Sequence, residues 1–148
     1  MDRVICITDG TNAALHALAL AALQGGSISA SAAASRLNVS PTYLSKILQG
    51  MAAKGIIESS RGLGGGFSLK KRAGDIRCLD IVEALEGPLP ARHCLFASPV
   101  CASGECAISA LCASIQKQIR EALAATSIED IARSFAPEPR KGSDSPKQ

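Results

Sequence analysis

Tryptophan is absent from this 148-residue chain, tyrosine occurs once and phenylalanine three times. A core without large rings has to close through alanine, leucine and isoleucine, a composition that favours helices. No run of 18 apolar residues occurs, so no helix is expected to span a membrane. The opening stretch MDRVICITDG has neither the apolar centre nor the cleavage pattern of a secretory leader. The expected location is the cytoplasm, where six cysteines are poor material for a disulfide framework. His16 and His93 are the only histidines, and no nucleophile–base pair has a characteristic local motif, so no enzyme is expected. A triple glycine at 64–66 is not followed by Gly-Lys-Ser/Thr, which removes a phosphate-cradling nucleotide loop.

What is present is concentrated in residues 37–69. Leu44, Ile47, Leu48 and Met51 recur at helical spacing and form one apolar stripe. Ser40-Pro41 supplies an N-cap and a first helical residue, and Gly55 ends the helix. The opposite face carries Thr42, Tyr43, Ser45, Lys46 and Gln49, side chains able to reach base edges or phosphates. Ile56–Ser60 and Phe67–Leu69 then flank the tip Arg61-Gly-Leu-Gly-Gly-Gly66, the pattern of a β-hairpin wing. Upstream, a helix over Asn12–Gln24 is capped by Thr8 or Asp9 and stopped by Gly25-Gly26. A second helix starts after Ser27 or Ser29 and ends near Leu37. His16 reads as a helical histidine with its ring satisfied locally rather than as a metal ligand. The expected fold is mainly α: a winged helix-turn-helix with a small hairpin wing, followed by a long C-terminal dimerisation helix.

Charge supports a polyanionic partner. The net charge is only +3, but residues 36–77 hold eight basic groups against two acidic ones, a local excess of +6. Such a block attracts phosphate and makes affinity depend on salt.

Beyond the wing, a helix from near Leu79 to Gly87-Pro88 has Ile81, Val82 and Leu85 on one side. Residues 88–106 carry three prolines, two serines and a glycine, which work against regular structure, and contain Cys94-x6-Cys101-x4-Cys106. A helix from Ala107 then carries Ile108, Leu111, Ile115, Ile119 and Leu123, a stripe with few partners in so short a chain. Ser127-x-x-Asp130 caps a last short helix ending near Phe135. This divides the chain into a DNA-binding domain (1–87), a cysteine-rich loop (88–106), a dimerisation helix with a short terminal helix (107–135) and a tail (136–148) expected to be disordered. The cysteine spacing has no Cys-x2-Cys knuckle, which fits structural zinc poorly. An iron–sulfur cluster, zinc, and free thiols or a redox disulfide all remain compatible with spacing alone.

Three blocks carry a resemblance to the winged-helix regulators that include IscR, NsrR and RirA. They are Leu44-Ser45-Lys46-Ile47-Leu48, Arg61-Gly-Leu-Gly-Gly-Gly-Phe67, and the Cys94/Cys101/Cys106 loop before the long helix. The resemblance implies a homodimeric transcriptional regulator, of repressor type, on palindromic double-stranded DNA, with Arg61 in the minor groove. It implies a [2Fe-2S] or [4Fe-4S] cluster on Cys94, Cys101 and Cys106 that senses nitric oxide, redox state or iron supply. Where IscR-like members place a ligating histidine after the third cysteine, this chain has Ser109. The fourth ligand stays open among Cys112, Asp9 of a partner subunit, a small molecule or nothing. A cluster-free thiol or disulfide switch on the same scaffold is the alternative. Cys6 and Cys78 have no assigned role, and neither a membrane nor a small-molecule substrate is implied.

Overall fold

Helix α1 (Asp9–Leu23) lies at the centre of the protein, in a computed structural model that describes residues 7–62, 65–89 and 106–135. Thr8 caps it, its side chain accepting from the Thr11 N–H at 3.3 Å. The sequence suggests one apolar face on Leu15, Leu18 and Ala22. In the structure, burial instead runs around the helix, taking in Ala13, Ala14, Leu15, Ala17, Leu18, Ala19, Leu20 and Ala21. The alanines let neighbouring backbones approach closely, and each buried leucine contributes about 1.5–3 kcal/mol. Helices α2 (Ala30–Leu37), α3 (Pro41–Ala53), α4 (Cys78–Glu86) and α6 (Ile128–Phe135) pack against α1.

The helix-turn-helix follows from local chemistry. Ser29 caps α2 through the Ala32 N–H at 3.1 Å. Asn38 ends it in the left-handed region, φ 53°, a conformation asparagine tolerates. Ser40 caps α3 and Pro41 occupies its first turn. Leu44, Leu48 and Met51 point into the core with 1% exposure or less. Gly55, φ +73°, follows the end of α3.

The wing strands are β2 (Ile57–Ser60) and β3 (Gly66–Leu69), antiparallel, with Ile57 opposite Leu69 and Ser60 opposite Gly66. A short strand, β1 (Ser27–Ile28), also pairs with β3, giving a three-stranded sheet ordered β1-β3-β2. The sequence offers only helix-cap signals there, at Ser27 and Ser29. Gly66 is explained by this contact: a Cβ on it would stand 2.7 Å from the Ile28 carbonyl oxygen.

The last turn of α4 is tied to three other helices. Glu83 accepts from Arg120 of α5 (Ala107–Ala125) at 2.6 Å. The Ala84 carbonyl accepts from the Lys54 ammonium at the end of α3. One oxygen of Glu86 accepts from the Thr8 N–H at 3.1 Å, from the Thr8 hydroxyl at 2.6 Å and from the hydroxyl of buried Thr11. A carboxylate there also meets the positive end of α1.

Helix α6 closes the core over α1, with Ile128 at 0% and Ala132 at 5% exposure. His16 fits its expected role. Its Nδ1 lies 2.8 Å from the Asn12 carbonyl and its ring meets Phe135 edge-on at 5.6 Å. The capping box at α6 is present: Ser127 Oγ accepts from the Asp130 N–H at 3.2 Å, and Asp130 accepts from the Ser127 N–H at 2.8 Å. Hydrogen bonds from the Ser127 hydroxyl and N–H hold the Asp130 carboxyl below its ordinary value. Its stabilising contribution is therefore complete above the unfolded carboxylate range, near pH 4, and is lost as pH falls through the lowered folded value. Asp130→Asn should be less stable than the parent in urea at pH 7, with the difference shrinking toward pH 3. A constant difference across that range would remove the ionised cap from the balance.

Candidate nucleic-acid interface

The outward side of α3 is a polar surface beside the wing. Thr42, Lys46 and Gln49 are exposed and Ser45 is half-buried. Gln49 Nε2 donates to Ser45 Oγ at 3.1 Å, one helical turn earlier. Tyr43 behaves differently from the others. The residue is 46% exposed, but its hydroxyl lies over α1, 2.9 Å from where a Cβ on Gly10 would stand. Gly10 thus makes room for the tyrosine, and the phenol turns back toward the N-terminal end of α1.

Arg61 is exposed at the start of the wing tip, beside Gly62 at φ +106°. Between the wing and helices α2 and α3 runs an open groove of about 930 Å³, bordered by Ser31, Gln49, Ser59, Arg61 and Lys70. A shallower groove of about 460 Å³ separates α2 from α3 and is bordered by Ser31, Thr42, Lys46 and Gln49. The two share Ser31 and Gln49, so the helix face and the wing form one continuous surface.

Two of the eight basic groups in the 36–77 block serve the fold. Lys54 donates to Ala84, and Arg77 donates to the Ala125 carbonyl at 3.3 Å. Arg36, Lys46, Arg61, Lys70, Lys71 and Arg72 are exposed and supply the local positive field.

The cysteines divide by environment. Cys94 and Cys101, with Cys6 and His93, lie outside the described residues, as do the wing-tip positions 63–64 and the tail 136–148. Cys106 is half-buried at the N-cap of α5. Cys112 is buried on α5, about 9 Å further along the axis at 1.5 Å per residue. Asp9 is exposed at the first position of α1. Among the described residues no three Cys, His, Asp or Glu side chains gather as a metal site, so a cluster ligand set would need Cys94 and Cys101. Cys78 is 2% exposed at the start of α4. Burial, and then the Asp130 charge, push its thiol up, which makes it an unreactive core side chain.

If Arg61 makes a groove contact with DNA, Arg61→Ala should weaken binding by about 1–3 kcal/mol. If Lys46 touches phosphate alone, Lys46→Ala should weaken all sequences alike and lower the salt slope by about one. Titration of DNA at several salt concentrations reads both, and unchanged affinity would remove either residue from the interface.

Comparisons with known proteins bear on this surface. Residues 7–134 match the profile of the Rrf2 family, described as an iron-dependent transcriptional regulator. YffB of Lactococcus lactis, which carries the name of an HTH-type transcriptional regulator, is 45% identical over 60 residues, 40% of this chain and 38% of that one. The chain thus matches under two fifths of that relative's length. The HTH-type transcriptional regulator IscR of Cereibacter sphaeroides is 36% identical over 81 residues, 54% of this chain and 52% of that protein. In three dimensions the chain is similar to CymR, the global cysteine regulator of B. subtilis. That likeness has a TM-score of 0.73 and 26% identity and covers 89% of this chain and 99% of that one.

Proposed function

Because the chain belongs to the Rrf2 family, we propose that it is a DNA-binding transcriptional regulator, of repressor type, that acts as a homodimer on palindromic double-stranded DNA. The observation that carries this reading is the exposed polar face of α3, continuous with a basic wing. In this reading α3 enters the major groove through Thr42, Ser45, Lys46 and Gln49. Arg61 enters the minor groove and Lys70, Lys71 and Arg72 lie along the phosphates. Tyr43 contributes by bracing the start of α3 against α1.

Dimerisation is assigned to α5. Ile108 and Leu111 are 52% and 55% exposed, an apolar face unusual on a solvated helix. A two-fold arrangement of such helices sets two recognition helices one DNA turn apart. Ile115→Asp would bury a charge at that seam. Sedimentation should then show a monomer, with operator affinity collapsing. A variant that stays dimeric would move the interface elsewhere.

For the signal, the cluster-free thiol switch takes first place. It is supported by the nearly full-length likeness to a regulator named for cysteine and by the placement of Cys106 at a helix N-terminus. Oxidation would join two of Cys94, Cys101 and Cys106, releasing two protons and passing two electrons to a peroxide or a disulfide. The second reading is an iron–sulfur cluster on the same three cysteines. The description of the family and the similarity to IscR favour it. Anaerobic purification from iron-replete cells separates the two. The thiol switch predicts a colourless, iron-free protein whose operator affinity changes on oxidation and returns with reductant. The cluster predicts about two or four irons per subunit with equal sulfide, lost in Cys94→Ala, Cys101→Ala and Cys106→Ala.

A further inference from the structure

The five polar side chains on the outer side of α3 are chemically unequal. Lys46 only donates, while Thr42 and Ser45 each offer a single hydroxyl. The Tyr43 hydroxyl is turned over Gly10. Gln49 alone ends in a fork that sets a donor beside an acceptor. The helix sequence PTYLSKILQGMAA contains no arginine, aspartate or glutamate. Recognition of guanine by arginine, or of cytosine by a carboxylate, therefore has no carrier on this element, and Lys46 is its one cation able to reach guanine.

The position of Gln49 matches its chemistry. It borders both the α2–α3 groove and the groove leading to the wing. Its Nε2 donates one hydrogen to Ser45 Oγ at 3.1 Å. That leaves the second amide hydrogen and the Oε1 acceptor available. The bond also restricts the side chain before any DNA arrives, so less rotamer freedom is lost on binding.

We infer that Gln49, positioned by Ser45, reads an adenine in the major groove of each half-site. Oε1 accepts from the adenine N6 amino group and Nε2 donates to N7. The inference rests on the DNA-binding reading above and goes beyond it by assigning a base to a residue.

The probe is a randomised double-stranded DNA library selected by the full-length chain, followed by fluorescence titration of the enriched site with single base-pair changes. The expected result is one A·T pair per half-site at which A→G, or 7-deazaadenine in place of adenine, weakens the parent protein by roughly 5- to 150-fold. Gln49→Ala should lose discrimination at that pair alone, with its salt slope and thermal unfolding unchanged. Ser45→Ala should blunt the same preference, and Ser45→Thr, which keeps the hydroxyl, should restore it. A Gln49→Ala protein that still discriminates at every position overturns the inference while leaving the regulator reading standing. A library that yields no enriched site overturns both.

Discussion

Leu18 and Leu20 sit on opposite sides of α1, and both are at most 2% exposed. A helix buried on opposite sides must be covered from opposite directions, and this condition organises the protein. The helix-turn-helix covers one side, and α4 and α6 contribute to the rest. The alanines at 13, 14, 17, 19 and 21 give up side-chain volume so that several helices can share one axis at short range. Scarcity of aromatic residues is thus compatible with a dense core: many thin contacts replace a few broad ones.

The basic residues show a second division of labour. Lys54 and Arg77 lie within the positive block of the sequence yet bind carbonyls at the ends of α4 and α5. Both bonds place a cation where a helix has its negative pole. The remaining cations surround α3 and the wing, so the field available to a polyanion is more localised than the count suggests. Arg36 extends that field to the last turn of α2.

The helices were legible because their signals are local. Ser40-Pro41, Gly55 and Ser127-x-x-Asp130 state where elements start and stop, and the structure places their caps there. β1 was not legible, because two residues have no periodicity and its pairing with β3 joins positions about forty apart. The all-round burial of α1 was hidden for a related reason. Its second covering face comes from α6, more than a hundred residues later. The polar face of α3 could be read from spacing, but the inward turn of Tyr43 could not. It depends on the missing side chain of Gly10 on another helix. Cys78 carries no role in the sequence reading; its burial alone places it in the core.

The last turn of α4 has a mechanical consequence. Residues 83, 84 and 86 each hold a different helix: α5 through Arg120, α3 through Lys54, and α1 through Thr8 and Thr11. Gly87, at φ +87°, follows at once and leads into the cysteine-rich segment. A pull on the chain beyond Gly87 is therefore not absorbed by one yielding contact. It is divided among α5, α3 and α1. The chain leaving α4 and helix α3 thus share an anchor in the last turn of α4.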